Sequence, residues 1–289
     1  MRITSFPQLV AGLLAAVGLA LPLRAATLCT LIADAADGQV LLTQGDCRTR
    51  VTPASTFKIP LAVMGFDAGF LASEHAPVLN IRPGDPDWGG EPWRQPTDPT
   101  RWMKYSVVWY SQRITHALGA AKLHDYAARF HYGNADFSGD AGFDNGLERA
   151  WIISSLKVSP HEQVEFLRQL VNRTLPVSPR AIDLAQRVVE VTRLPDGREV
   201  HGKTGTAFPR RADRSFDEAR AYGWYVGWAT EAGRTLVFAR LNQDERQEAV
   251  SGGLRARADF LKAWPALVAA LPASSALAAP ARPASSPRP

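Results

Sequence analysis

The sequence has few cysteines and histidines, the side chains that most often bind zinc. It contains 2 cysteines and 6 histidines in 289 residues, and the histidines are scattered without the H-E-x-x-H spacing of zinc hydrolases. Two cysteines without spaced histidine partners do not form a zinc site. The G-x-S-x-G turn that carries the nucleophile of lipases is also absent. We therefore expect no metal, no resident cofactor, and neither a lipase nor a zinc-protease mechanism.

The sequence also lacks an apolar run that would comfortably span a membrane. The run at residues 9–23 follows Arg2 and contains 15 residues, whereas a transmembrane helix needs about 20. Arg24 and two alanines come next, as at a signal-peptidase site. We predict that residues 1–25 are a signal peptide, and that the protein is exported to the periplasm without a stable membrane anchor.

The net positive charge of the chain comes mostly from its two ends. Arg2, Arg24, Arg282 and Arg288 have no acidic neighbours, and without these four the net charge falls from +5 to +1. The basic balance therefore gives no reason to expect a nucleic-acid partner. Residues 273–289 are mostly Ala, Pro and Ser, a composition typical of disorder. We predict one domain over residues 26–272, followed by a disordered tail.

Cys29 and Cys47 flank a predicted hairpin. Asp37-Gly38 is a strong turn signal between two apolar segments. A hairpin that closes there brings the two cysteines near its open end, within bridging reach in an oxidising compartment. The sequence leaves two possibilities open, a disulfide or a pair of buried free thiols.

Two motifs indicate acyl-transfer chemistry. Ser55 and Lys58 have a spacing that places both side chains on one face of a helix, so the amine can reach the hydroxyl. The start of that helix offers free N–H groups to an oxyanion. Lys203-Thr204-Gly205 lies far downstream on a predicted strand, where Lys203 and Gly205 share a face. Together the two motifs predict a nucleophile with its base, opposite a cationic wall.

Two other patterns match motifs without the context that those motifs need. Ser154-x-x-Lys157 has no apolar helix behind it, and we interpret it as incidental. Residues 197–204 satisfy the phosphate-binding pattern G-x-x-x-x-G-K-T, which needs a strand before it and a helix after it. A helix-like segment precedes this stretch and Pro209 interrupts any helix after it. An NTPase is therefore a remote alternative.

The order of predicted elements indicates an α/β (α+β) fold with an antiparallel sheet flanked by helices and an inserted helical subdomain. Predicted strands form the cysteine hairpin and then residues 198–206, 221–229 and 235–241. Predicted helices begin at Ser55 and cover 102–118, 120–130 and 253–265, and others open at Ser159-Pro160 and Ser178-Pro179. Residues 132–146 are predicted to be a loop.

The motifs, taken in order, resemble those of the class D (OXA-type) serine β-lactamases. They are Ser55-x-x-Lys58, Ser106-x-Val108, Tyr132-Gly133-Asn134 and Lys203-Thr204-Gly205, with longer similar runs at residues 53–60, 151–160 and 222–228. The likeness covers essentially all of the predicted mature chain. It implies the serine β-lactamase/penicillin-binding-protein-like fold and hydrolysis of penicillin-type antibiotics, which confers resistance.

The resemblance also implies roles for individual residues. Ser55 is expected to be the acylated nucleophile, and Lys58 the base after its amine adds carbon dioxide or bicarbonate to become N6-carboxylysine. Trp151 is expected to hold that carbamate, while Val108 and Ile152 keep the pocket dry. Ser106 and Lys203 are expected to transfer protons and orient the substrate, and the N–H groups of Ser55 and Thr206 to form an oxyanion hole. Arg255 is expected to contact the substrate carboxylate. The other expected substrate contacts are Tyr132, Asn134, Thr204 and Gly205.

The residues themselves agree with that mechanism. Penicillin-binding proteins and class A enzymes have Ser-Asp-Asn where this chain has Ser106-Val107-Val108. No Glu-x-x-Leu-Asn supplies a deacylating glutamate, so Lys58 is the titratable group placed to act as base. The main alternative is a penicillin-sensing domain, which is acylated without turnover. We expect the protein to be a monomer or a homodimer and its partners to be β-lactam substrates.

Overall fold

An antiparallel sheet of six strands forms the centre of this computed structural model, which describes residues 25–272. The predicted tail and, except for residue 25, the predicted signal peptide lie outside those residues. The strand order is β2-β1-β6-β5-β4-β3. The strands are β1 (Ala26–Asp34), β2 (Val40–Gly45), β3 (Val191–Arg193), β4 (Glu199–Ala207), β5 (Tyr222–Glu231) and β6 (Arg234–Gln243).

Helices are inserted between β2 and β3, and one more follows β6. They are α1 (Lys58–Asp67), α2 (Glu91–Arg94), α3 (Pro99–Tyr105), α4 (Val108–Arg129), α5 (Gly146–Ile153), α6 (Pro160–Val171), α7 (Pro179–Val188) and α8 (Gly252–Ala269). Short 3₁₀ turns precede α1 at Ala54–Phe57 and β5 at Glu218–Arg220. Within the described chain, no helix combines the length and the apolar character needed to cross a bilayer. This arrangement confirms the predicted fold class.

The sheet separates two cores because successive strand residues point to opposite faces. Tyr225 and Phe238 point toward α8, where both rings contact Phe260. Val226 and Val237 belong instead to the larger core that the sheet shares with the inserted helices. Strand β4, which carries Lys203-Thr204-Gly205, packs against the 3₁₀ turn that carries Ser55. The two motifs can therefore meet there.

The hairpin predicted around Asp37-Gly38 is present as β1 and β2. Gly38 has φ 76°, a left-handed conformation that glycine adopts without a Cβ clash. Cys29 lies opposite Gly45 in the ladder, and it forms a disulfide with Cys47 across a Cα–Cα distance of 5.1 Å. The structure thus contains the bridge rather than two free thiols.

The disulfide should contribute measurably to stability. Its cysteines are 18 positions apart, and closing such a loop in the unfolded chain stabilises the fold by about 3 kcal/mol. We expect Cys29→Ala/Cys47→Ala to lower the free energy of unfolding in urea by that amount, and reduction of the wild-type protein to have the same effect. Quantitative alkylation of both thiols in native, unreduced protein would contradict the bridge.

Several predicted boundaries need correction. Ser55 lies in the 3₁₀ turn before α1 rather than in the helix itself. The stretch predicted as helix from residue 102 is interrupted near Ser106, which has φ 58° at the end of α3. Strand β3 and helix α5 were not predicted, because both are short and weakly patterned. The capping box of Ser159 with Glu162 is confirmed.

Candidate active site

A cavity of about 630 Å³ opens where the 3₁₀ turn, the α3–α4 junction, α5, β4 and the start of α8 meet. Ser55, Ser106, Trp151, Lys203 and Thr206 all line it. These residues are far apart in the sequence and come from different elements. The fold therefore brings both predicted motifs into one cleft.

Ser55 lines this cavity, and its hydroxyl contacts the buried side chain of Lys58. The Lys58 amine donates a hydrogen bond to the Ser55 hydroxyl across 3.2 Å. The serine is half-buried and the lysine is fully buried. Ser55 also lies at the N-terminal end of α1, where unpaired N–H groups and the helix dipole create positive potential. The arrangement joins a nucleophile, a proton acceptor and an electrostatic partner for an oxyanion.

Among the described residues, no carboxylate pairs with the buried Lys58 amine. Burial lowers its pKa well below the ordinary value, and the nearby positive charge of Lys203 lowers it further. A lowered pKa favours the neutral amine, which can accept a proton. Val108, Trp151 and Ile152 line the cavity. The site therefore favours an uncharged amine in apolar surroundings.

Trp151 differs from the other fully buried tryptophans of the described chain. Trp102 donates its indole N–H to the Ser111 hydroxyl, and Trp109 donates to the Trp93 carbonyl. Trp224 donates to the Thr52 carbonyl and Trp264 to Glu231. The Trp151 ring stacks on Phe57 at 5.6 Å, but its N–H has no acceptor within residues 25–272. Because Trp151 lines the cavity, this N–H is open to an acceptor that enters the cavity.

Lys203 forms the opposite wall, as the parity of β4 predicts. Its side chain is buried, and its amine donates to the Thr204 carbonyl across 3.1 Å. Burial lowers the pKa of Lys203 to about 8, with Glu190 raising it and Arg257 lowering it. Lys203 is therefore a cation whose charge disappears just above neutral pH.

Gly205 allows β4 to approach the nucleophile turn. A Cβ at this position would lie 2.9 Å from the Pro53 carbonyl oxygen and 3.2 Å from the backbone nitrogen of Thr56. A side chain at residue 205 would push the strand away from Ser55. The glycine therefore fits a close approach within the protein itself, in addition to any approach by a substrate.

Thr206 presents its backbone N–H toward the cavity. In an antiparallel ladder, alternate residues direct their N–H groups to the same edge of the strand. Gly202 donates its N–H to the Glu190 carbonyl on the β3 side, so Thr204 and Thr206 point the same way. Beyond residue 201 β3 no longer pairs with β4. This open edge gives the Thr206 N–H access to a substrate oxygen, as the oxyanion-hole expectation requires.

The Ser106 hydroxyl is buried and makes no hydrogen bond within the described chain. Its backbone has φ 58°, which is strained for a residue with a side chain. Because Ser106 also lines the cavity, this hydroxyl is available to a substrate. The sequence did not predict the turn that positions it.

Tyr132 and Asn134 do not line the cavity in this structure, and their substrate contacts stay a prediction. The Tyr132 hydroxyl donates to Gln163, whose amide donates to the Thr56 hydroxyl at 2.7 Å. Asn134 accepts from the backbone N–H of Lys157 at 2.9 Å. Tyr132 thus supports the turn that carries Ser55, through Gln163 and Thr56. Asn134 supports the chain that follows α5.

Arg255 also lies outside the cavity. Its guanidinium donates to the Val250 carbonyl across 2.9 Å and pairs with Asp244. Arg257, one helical half-turn further along α8, lines the cavity and pairs with Glu190 at 2.8 Å. The arginine that lines the cavity in this structure is therefore Arg257, and the substrate-carboxylate contact of Arg255 stays a prediction.

The phosphate-loop alternative is inconsistent with the fold. Residues 203 and 204 lie inside β4, which pairs along its length with β5, so no helix follows the lysine as that motif requires. The segment just before β4 is the short strand β3 and a turn, not the predicted helix. Residues 25–272 also contain no group of three or more His, Cys, Asp or Glu side chains arranged to bind a metal.

Several cavity residues were not found from the sequence. Trp88 and Trp93 come from the long segment between α1 and α3, Phe208 follows β4, and Glu190 precedes β3. The cluster of tryptophans in an otherwise polar loop was the available signal, because exposed aromatic side chains often mark binding surfaces. Trp88 is 66% exposed at the rim of the cavity.

Comparison with protein families identifies the type of domain. The model described as the penicillin binding protein transpeptidase domain matches residues 28–264. That span begins within β1, includes the other five strands and ends within α8. The fold and the Ser55–Lys58 site are thus those of a transpeptidase-type domain.

Individual relatives narrow this assignment. The chain is 42% identical to β-lactamase OXA-9 of Klebsiella pneumoniae over 241 residues, 83% of this chain and 88% of that protein. It is 38% identical to β-lactamase OXA-1 of Escherichia coli, over 73% of this chain and 74% of that one. The solved structure of OXA-427, a class D β-lactamase, is 44% identical with a TM-score of 0.77, and the match covers 83% of this chain and 98% of that structure. The chain therefore belongs to the class D β-lactamases.

Proposed function

We propose that this protein hydrolyses β-lactam antibiotics through an acyl-enzyme at Ser55, after export to the periplasm. The observation that carries the proposal is the 3.2 Å hydrogen bond between the Ser55 hydroxyl and the buried Lys58 amine. A serine is a weak nucleophile until an adjacent base removes its proton. The relationship to β-lactamases OXA-9 and OXA-1 supports the choice of substrate class.

Acylation uses groups that already line the cavity. The Ser55 oxygen attacks the lactam carbonyl carbon while Lys58 accepts its proton, and the C–N bond of the ring then breaks. The N–H groups of Ser55 and Thr206 stabilise the negative charge that develops on the carbonyl oxygen. Ser106, with its free hydroxyl, passes a proton to the leaving nitrogen. Lys203 attracts the substrate carboxylate.

Deacylation requires a base that activates water against the ester at Ser55. When the Lys58 amine carries a carbamate derived from carbon dioxide, it supplies a carboxylate-like base. The pKa of Lys58, lowered by burial, favours the neutral amine that this modification needs. Trp151 holds the modified group through its N–H, and Val108 and Ile152 exclude competing water.

A turnover experiment separates the enzyme from a sensor. The chain is also 28% identical to the regulatory protein BlaR1 of Bacillus licheniformis, over 70% of this chain and 31% of that protein. With a chromogenic cephalosporin in large excess, we expect continuous hydrolysis over many enzyme equivalents. Release of one equivalent followed by a stable adduct would assign the protein to the sensor type instead.

The loss of activity at alkaline pH should reflect the deprotonation of Lys203. Its folded pKa is about 8, so its positive charge is complete below that pH and is lost as the pH rises through it. We expect kcat/KM for an anionic penicillin to fall above about pH 8. Lys203→Arg keeps its charge at higher pH and should remove this loss, whereas Lys122→Arg on the exposed face of α4 should not. A loss of activity that persists in Lys203→Arg would assign it to another group.

A further inference from the structure

A second cavity, of about 530 Å³, lies beside the catalytic one. Phe208 lines both cavities, and Ile153 lines the second while its neighbour Ile152 lines the first. The second cavity contains Ser154 and Lys157, the Ser-x-x-Lys pair that the catalytic mechanism does not use. Its chemistry differs from that of the catalytic cavity because its lysine is not paired with a serine.

The chain around Lys157 is held firmly while its amine is left without a partner. The Ser154 hydroxyl donates to Asp140 at 2.8 Å, and the Ser155 hydroxyl donates to the Asp136 carbonyl at 2.9 Å. Asn134 accepts the Lys157 backbone N–H. The Lys157 ammonium itself makes no hydrogen bond or ion pair within residues 25–272. A fixed, half-buried cation without a counter-charge is costly unless an anion reaches it.

The neighbouring charges do not neutralise this ammonium. Arg210 donates to both oxygens of Asp140, at 2.9 and 3.0 Å, and Arg50 donates to Glu162 at 3.0 Å. The three cations that line the cavity are thus matched by only two carboxylates, which leaves one positive charge. Burial, with a further contribution from the positive charge of Arg210, lowers the pKa of Lys157. The cavity therefore favours an anion.

The remaining wall is apolar. Val51 and Ile153 are each 9% exposed, and Phe208 and Tyr222 also line the cavity. A simple inorganic anion would leave this surface hydrated. A ligand with a negative head and a ring-sized apolar body matches both parts of the cavity.

We propose that this second cavity binds a small organic carboxylate with a single ring. The carboxylate lies between Lys157 and Arg210, and the ring lies against Ile153 and Phe208. The site is distinct from the catalytic cavity and does not depend on acylation of Ser55.

Binding of 4-fluorobenzoate, followed by fluorine NMR, tests the proposal. We expect Lys157→Gln to weaken binding by about tenfold or more, since it removes a charge-assisted hydrogen bond. Lys122→Gln, an exposed lysine of α4, should leave the affinity unchanged. Probe bound through Lys203 in the catalytic cavity should be lost in Lys203→Gln, whereas binding in the second cavity should survive that substitution. Wild-type affinity in Lys157→Gln, or loss of all binding in Lys203→Gln, would overturn the proposal.

Amine labelling of the unaltered protein gives a second test that does not depend on the folding of a variant. Lys157 has a lowered pKa and should react with an acylating reagent near neutral pH. Peptide mapping should show that 4-fluorobenzoate protects Lys157 but not Lys122. Inorganic phosphate should protect Lys157 less, because it lacks an apolar body. Unprotected Lys157, or equal protection by phosphate, would contradict the proposed ligand class.

Discussion

Replacement of Ser55 by alanine should abolish the covalent adduct with penicillin and lower turnover by about 10³-fold or more. The reason is that the cavity offers the lactam carbonyl one hydroxyl that is paired with a buried amine, 3.2 Å away. Intact-mass analysis of the wild-type protein should show one added penicillin, and peptide mapping should assign it to the segment that contains Ser55.

Ser154→Ala is the matched control for this experiment. Ser154 begins the second Ser-x-x-Lys sequence, but its hydroxyl donates to Asp140 and its lysine is not on the same helical turn. Turnover and the adduct should therefore survive the Ser154 substitution. An adduct that persists in Ser55→Ala, or that maps to Ser154, would refute the assignment of the nucleophile.

Trp151→Phe should produce an enzyme that is acylated by the substrate but releases the product only slowly. The substitution keeps an aromatic ring against Phe57, to which Trp151 stacks, but removes the N–H that is open to the cavity. Deacylation should slow by about 10²-fold or more because the base loses its hydrogen-bond donor, while acylation should change less. Pre-steady-state kinetics with a chromogenic cephalosporin would show a rapid first equivalent followed by a slow steady state.

Trp102→Phe provides the control, because that indole donates to Ser111 rather than into the cavity. It should lower stability without a change in the deacylation rate. Equal slowing of acylation and deacylation in Trp151→Phe would argue that Trp151 acts through packing alone.

The same mechanism predicts a response to bicarbonate. The lowered pKa of Lys58 favours its neutral amine, and acid protonates the amine and reverses carbamate formation. Activity should therefore fall after degassing at low pH and recover when bicarbonate is added. Lys58→Ala should show neither activity nor recovery. The absence of a bicarbonate effect, together with wild-type turnover in Lys58→Ala, would exclude this lysine as the base.

Features that depend on neighbouring residues are predictable from the sequence alone. The Ser159–Glu162 capping box, the hairpin turn at Gly38 and the shared face of Lys203 and Gly205 all follow from local backbone geometry. The Ser55–Lys58 contact also follows from a three-residue spacing. These features were predictable because helix and strand periods fix which near neighbours share a face.

Which distant side chains reach the cavity depends on the folded structure and does not follow from local patterns. The strained backbone of Ser106, the free N–H of Trp151 and the choice of Arg257 over Arg255 depend on packing between separate elements. Tyr132 is turned inward by a hydrogen bond to Gln163, 31 positions away. Irregular segments have no period that fixes side-chain direction, so contacts between residues far apart in the sequence determine it.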